Sequence, residues 1–149
     1  MSNRSDGSRF ENQIAEALSR NGFWVHILQQ NKAGQPADLI VCRGQYTTLI
    51  DCKVISGGYF PLSRVEENQQ YAMKLFSERT ENACWFAMEL PDGCVRLVSS
   101  IYVFSAILDG ASSIPNDVIH DQGLPLEVWM EGAFDKSGMM EDNGGDDLK

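Results

Sequence analysis

The 149-residue sequence predicts an α/β fold in which a mixed central β-sheet is flanked by helices. Three observations support this class. An amphipathic segment opens the chain, short β-rich runs bounded by turn residues follow it, and a second helical segment separates the third run from the fourth. The predicted element order is α-β-β-β-α-β-β-α. A strand meander followed by a crossover helix and further strands is typical of a mixed sheet with helices packed on its faces.

Residues 8–21 are predicted to form the first helix. Phe10, Ile14 and Leu18 form an apolar stripe at helical spacing, and Asn21-Gly22 is a typical helix end. Ser8 followed three residues later by Glu11 matches a capping box, which predicts a start at Ser8.

Three strands are predicted next, over residues 23–28, 37–43 and 46–54. The second and third are joined by the tight turn Gly44-Gln45, so they are expected to pair antiparallel. A second helix is predicted over residues 63–79, opened by the capping box of Ser63 and Glu66.

The remaining predicted elements are a strand over residues 83–90, a turn at 91–93, a returning strand at 94–98, a short helix at 100–108 and a possible strand at 126–130. The prediction is one domain over residues 1–130 with its core in residues 8–109. Residues 131–149 are rich in Gly, Asp and Met, which is typical of a disordered acidic tail.

The net charge is −9, which taken alone argues against a nucleic-acid partner. However, residues 1–76 carry a net charge of +1 and residues 77–149 a net charge of −10. The surplus of acid therefore lies in the second half of the chain.

No apolar run is long enough to span a bilayer, and the first thirty residues lack an apolar signal core. We expect no membrane partner and a cytoplasmic protein, in the bacterial host cytoplasm if the source is viral. The four cysteines form no CxxC pair and are predicted to be reduced thiols.

Three charged residues occur where apolar residues are expected. Asp38 lies at the entrance of the second strand, and Asp51 and Lys53 share one face of the third. Folding of the third strand back along the second can bring Asp38 close to Asp51. Two converging carboxylates repel each other, and a divalent cation resolves the repulsion by taking oxygen ligands. An ammonium beside that cation can orient a water and stabilise a phosphorane-like transition state, so the predicted reaction is phosphodiester hydrolysis.

Pro36-Ala37-Asp38, followed after twelve residues by Asp51-Cys52-Lys53, resembles the motif of the PD-(D/E)xK nucleases. The opening, Asn3-Arg4 and Phe10-Glu11, and the stretch Phe60-Pro61-Leu62 are similar to RecU-type Holliday-junction resolvases. Those enzymes carry a stalk insertion before the motif, whereas only residues 29–37 fill the interval here. The compact arrangement resembles archaeal Hjc-type resolvases and the VRR-NUC group of the same superfamily more closely.

The resemblance implies a metal-dependent DNA endonuclease that acts as a Holliday-junction resolvase, with a homodimer as its active form. Asp38, Asp51 and the backbone carbonyl of Cys52 would then bind Mg²⁺, for which Mn²⁺ could substitute. Glu11 would assist in binding the metal, Lys53 would orient the nucleophile, and Gln69 would support the site from the second helix. Six basic residues are the candidate DNA contacts: Arg4, Arg9, Lys32, Arg43, Arg64 and Lys74.

Structural alternatives stay open for these residues. Glu11 could serve only as a helix cap, Gln69 could bond a backbone carbonyl, and Asp38 could cap a turn. Asp51 and Lys53 could form a solvated pair on an edge strand. Two alternative functions are a structure-selective nuclease for flaps or duplex DNA, and a non-catalytic interaction protein with a nuclease fold.

Overall fold

A computed structural model of the protein describes residues 3–29 and 34–133. Lys32 and residues 134–149, which make up most of the predicted acidic tail, lie outside the described residues, as does the side chain of Arg4. The helices are α1 (Asn3–Arg20), α2 (Glu67–Thr80), α3 (Ser100–Leu108), α4 (Asn116–Gln122) and α5 (Leu126–Val128). The strands are β1 (Trp24–Ile27), β2 (Leu39–Arg43), β3 (Tyr46–Val54), β4 (Tyr59–Pro61), β5 (Trp85–Glu89), β6 (Val95–Ser99), β7 (Ser113–Pro115) and β8 (Leu124–Pro125).

Six strands form one sheet in the order β1-β2-β3-β5-β6-β8. β3 and β5 are parallel, because α2 carries the chain between them, and the other neighbouring pairs are antiparallel. The predicted mixed α/β fold is therefore confirmed, as is the antiparallel pairing of the second and third strands.

The alternation of side chains along β3 separates two apolar layers. Ile50 packs with α1 in one layer, whereas Leu49 packs with α2 and α3 in the other. Asp51 and Lys53 follow Leu49 at intervals of two, so they share its face of the sheet. The charged pair consequently lies on the side covered by α2.

Both predicted capping boxes are wrong. α1 begins at Asn3, which places Ser8 and Glu11 inside the helix. Ser, Asn and Asp occur at five positions before residue 9, and all are N-capping types, so residue type could not select the start. The second helix begins at Glu67, because residues 62–64 form a separate 3₁₀ turn and Val65 is extended.

The predicted strand at residues 126–130 is also wrong. The chain there forms α5 and a π-type turn over Trp129–Ala133, and the two-residue β8 pairs with β6 instead. Trp129 is completely buried and packs against the rings of Phe23 and Trp85. The turn over Trp129–Ala133 directs this indole beneath the sheet. The apolar core therefore extends beyond residue 109, where the sequence analysis places its end.

Trp129→Ala is expected to destabilise the protein by about 3–5 kcal/mol, because it leaves a large cavity between α1 and the sheet. The free energy of unfolding, measured by urea titration with far-ultraviolet circular dichroism, tests this. Trp24→Ala is the matched control, since Trp24 is 60% exposed, and a change within about 0.5 kcal/mol is expected there. Equal effects of the two substitutions would contradict the structural role of Trp129.

Candidate active site

The β2–β3 hairpin brings Asp38 and Asp51 together. The register places Leu39 opposite Ile50, so Asp38 lies at the entrance of β2 beside the end of β3. Its carboxylate Oδ2 accepts a hydrogen bond of 2.8 Å from the backbone N–H of Cys52, and its own N–H donates to Ile50. The Asp38 side chain is thereby fixed against β3 rather than capping a turn.

Asp51 is the most deeply buried carboxylate of the site, with 4% of its surface exposed. Its Oδ2 lies 3.0 Å from Lys53 Nζ, and its Oδ1 accepts a hydrogen bond of 2.9 Å from Gln69 Nε2. The interpretation of Asp51 and Lys53 as a solvated edge pair is wrong, because β3 is a central strand, Asp51 is buried and Lys53 is half-buried. Gln69 bonds this carboxylate rather than a backbone carbonyl.

Lys53 is held from a second side by the 3₁₀ turn that precedes α2. Its Nζ donates to the carbonyl of Arg64 at 3.1 Å, and Arg64 Nη1 donates in return to the carbonyl of Val54 at 2.8 Å. This reciprocal pair ties the end of β3 to the turn. The ammonium is therefore positioned between Asp51 and Arg64.

Glu11 reaches the same place from α1. It lies in the middle of the helix, and its carboxyl is close enough to Asp38 and Asp51 for both to affect its pKa. The interpretation of Glu11 as a helix cap alone is therefore wrong. Glu11 lines the same cavity as Asp38 and Asp51, and its assistance in metal binding stays a prediction.

These groups line one open cavity of about 240 Å³. Three further residues line it that the sequence analysis does not select, Gly34, Gln35 and Glu66. In the sequence, Gln35 is marked only by its place directly before the Pro-Ala-Asp motif, and Glu66 is assigned to a capping box. The ionisable side chains of the wall are four carboxylates and two cations, which leaves an excess of two negative charges: Glu11, Asp38, Asp51, Glu66, Lys53 and Arg64.

The carboxyl groups resist ionisation in this setting. Burial raises the pKa of Asp51 to about 7, against the opposing effect of the Lys53 ammonium. Burial also raises the pKa of Asp38 and of Glu11, and each is raised further by another carboxylate of the cluster. A cation bound among them would stabilise the ionised forms.

The metal-free protein is expected to lose stability as the pH rises. The folded pKa of Asp51, about 7, lies above its ordinary value of 3.8, so the folded state retains a proton that the unfolded state releases. The contribution of this retained proton to the free energy of unfolding is fully present below pH 3.8 and is lost as the pH rises through 7. Its size is on the order of 1–4 kcal/mol.

Urea titrations in EDTA between pH 4 and pH 8 measure this effect. Asp51→Asn should flatten the fall in the free energy of unfolding, because the amide does not titrate. An unchanged pH dependence in the variant would show that Asp51 is ionised in the folded protein throughout this range.

The donor set is suited to Mg²⁺, which keeps water ligands, rather than to a metal that takes all its ligands from protein side chains. Within residues 3–29 and 34–133, no three His, Cys, Asp or Glu side chains form a ready-made metal site. Mg²⁺ commonly keeps several waters and takes one or two carboxylates from the protein. Asp38 and Asp51 are the two carboxylates that could serve in this way. The buried Oε1 atoms of Gln35 and Gln69 find no donor in the described part of the chain and could accept hydrogen bonds from such waters.

Among the predicted DNA contacts whose side chains the structure describes, Arg64 alone lines the cavity and the others are dispersed. Arg9 forms an ion pair of 2.7 Å with Glu89. Arg43 lies over the ring of Phe23, and Lys74 lies over the ring of Phe104 on the opposite layer. Their contact with DNA stays a prediction.

Comparison with known proteins gives a structural match. No protein-family model and no curated protein sequence matches the chain. The fold is similar to that of Hjc, a Holliday junction resolvase from the archaeal hyperthermophile Archaeoglobus fulgidus, with a TM-score of 0.66 over 83% of this chain and 99% of that one, at 19% identity. No helix in the described residues is long and apolar enough to cross a membrane. The predicted similarity to Hjc-type resolvases is confirmed at the level of fold: the chain has the mixed α/β fold of that protein.

Proposed function

We propose that the protein is a divalent-metal-dependent endonuclease that hydrolyses phosphodiester bonds in DNA. One observation carries the proposal: a buried carboxylate, Asp51, lies beside a second carboxylate and an ammonium in an open cavity that retains an excess of negative charge. Burial of such a cluster is costly and serves no packing purpose, but it suits the binding of a cation and a phosphate together.

Asp38 and Asp51 would hold Mg²⁺ or Mn²⁺, with the backbone carbonyl of Cys52 as a further ligand and Glu11 assisting from α1. When bound, the metal supplies a Lewis acid that lowers the pKa of a coordinated water and polarises the phosphate. Gln69 fixes the Asp51 carboxylate through its amide N–H, which keeps the second oxygen directed at Lys53.

Lys53 has three N–H donors, and two of them are used by Asp51 and by the Arg64 carbonyl. The third can donate to the attacking water or to a phosphate oxygen. Because the ammonium is held on two sides, it requires little reorganisation as negative charge develops in the transition state.

The preferred substrate proposed here is a four-way DNA junction. The structural neighbour is a Holliday junction resolvase, and the compact chain has the same fold over nearly all of that protein. Symmetric incision of a junction needs two active sites, so the proposed active form is a homodimer.

The test compares labelled four-way junction, flap, single-stranded and linear duplex DNA of matched sequence, each with Mg²⁺, Mn²⁺ or EDTA. We expect paired cuts in the junction with either metal and none with EDTA. Equal cutting of linear duplex would refute junction selectivity, and preferential cutting of flaps would identify a structure-selective nuclease. Binding without cleavage of any substrate would refute the endonuclease and favour a non-catalytic interaction protein.

A further inference from the structure

A second cavity of about 460 Å³ adjoins the candidate active site. It lies between the first turns of α1, the end of β3 and the β4 strand. Cys52 and Arg64 line both cavities, so the two share a wall. A polymer whose phosphate lies in the first cavity would therefore place a neighbouring unit beside the second.

Small residues keep this second cavity open. Gly7, Ser56 and Gly57 line it, and a Cβ atom added at Gly7 or Gly57 would meet nothing within 4 Å. Gly7 lies inside α1, where glycine lowers helix stability relative to alanine. Close packing does not explain its presence, whereas an open binding cavity does.

The chemistry of this cavity differs from that of the acidic cavity beside it. Arg64 is the one charged residue among the described residues that line it. Arg64 uses Nη1 to bind the Val54 carbonyl, and a guanidinium has five N–H donors, so donors remain for a ligand. Tyr59 adds an aromatic ring that is 55% exposed.

A cation and an exposed ring in a cavity of this size form the combination that binds a nucleotide. Arg binds the phosphodiester, and the ring stacks on the base without regard to its identity. The cavity also lies within the range of volumes that is usual for small-molecule sites.

We propose that this second cavity binds one nucleotide of the DNA strand adjacent to the phosphate that is cleaved, with the base on Tyr59 and the neighbouring phosphate at Arg64. The inference rests on the proposed endonuclease function. It identifies an unpaired or locally unstacked nucleotide as part of the substrate, because a base within an intact duplex cannot enter the cavity.

Gly7→Leu should weaken DNA binding without unfolding the protein, so its effect cannot be attributed to a loss of folding. Leucine favours the helix more than glycine does, so the melting temperature should rise, while its side chain fills the cavity. Dissociation constants are measured by fluorescence anisotropy in EDTA, with a labelled four-way junction and a labelled single-stranded oligonucleotide. We expect Gly7→Leu and Tyr59→Ala each to weaken binding roughly 5- to 100-fold.

Three controls accompany these variants. Gly7→Ala stabilises the helix but leaves most of the cavity open, and Tyr59→Phe retains the ring, so each should bind within about twofold of the wild type. Tyr71→Ala removes a more exposed tyrosine on α2 that lines neither cavity. Wild-type affinity in Gly7→Leu for both DNA probes would overturn the proposal.

Competition with a free deoxynucleoside monophosphate distinguishes the source of the nucleotide. If Gly7→Leu abolished binding of the monophosphate while both DNA affinities stayed unchanged, the cavity would take a free nucleotide and the assignment to the strand would be wrong. Cleavage with Mg²⁺ is scored separately. If the wild type cut no DNA but the variants bound DNA more weakly than it does, the second cavity would be supported and the endonuclease refuted. If cleavage were normal and the variants' affinities unchanged, the endonuclease would be supported and the second cavity refuted.

Discussion

Asp51→Asn is expected to lower the rate of DNA cleavage by roughly 10³-fold or more, because it removes one of the two carboxylates proposed to hold the metal. The substitution is isosteric, and the amide oxygen can still accept from Gln69 Nε2. Its NH₂ group would then face Lys53 Nζ, another donor, at the position where the ion pair of 3.0 Å now lies. Asparagine therefore cannot satisfy both neighbours, and the ammonium loses its partner.

Single-turnover cleavage of the four-way junction measures the loss, and circular dichroism checks that the variant folds. Metal binding is followed independently by the rise in melting temperature when Mg²⁺ is added at pH 8, which the wild type should show and Asp51→Asn should not. Asp109→Asn is the matched control, since it makes the same chemical change at an exposed position after α3. A rate within tenfold of the wild type, or a retained Mg²⁺ shift, would contradict the assignment of Asp51.

The pairing of Asp38 with Asp51 could be predicted because it depends on local rules. Apolar alternation fixed the face of β3, and the Gly44-Gln45 turn fixed its return along β2, so convergence of the two carboxylates followed. The same rules account for the predicted bounds of residues 46–54 and 100–108, which match β3 and α3. Where the local pattern and the tertiary packing agree, sequence periodicity is sufficient to predict the bounds of an element.

The parts that could not be predicted depend on contacts between distant segments. The 3₁₀ turn at residues 62–64 replaces the expected start of a helix. It is bound to β3 through Lys53, and the Leu62 N–H donates to the carbonyl of Ser112, directly before β7. Trp129 draws the C-terminal segment under the sheet, which overrides the strand propensity of residues 126–130. Gln35 and Glu66 join the site only through the fold. Neither has a spacing that distinguishes it from an ordinary surface residue.

Lys53→Met is expected to reduce the cleavage rate roughly 10²- to 10³-fold while leaving DNA affinity within a few fold. Methionine approximates the length of the lysine stem but provides no donor, so the Arg64 carbonyl loses its partner and the transition state loses a positive charge. The Lys53 ammonium also opposes the upward shift of the Asp51 pKa, so its removal should move the pH at which the rate rises to higher values. Lys53→Arg should not restore the rate, since a planar guanidinium cannot occupy the position between Asp51 Oδ2 and the Arg64 carbonyl.

Single-turnover rates between pH 6 and pH 9, together with dissociation constants in EDTA, separate these effects. Arg20→Met removes the same charge from an exposed position at the end of α1, where Arg20 forms an ion pair with Glu16, and should change neither quantity. If Lys53→Met lost affinity as strongly as rate, Lys53 would be a simple phosphate contact. If it lost rate alone and its pH profile moved upward, the ammonium would act on the transition state while it is coupled to Asp51, in agreement with the 3.0 Å ion pair between them.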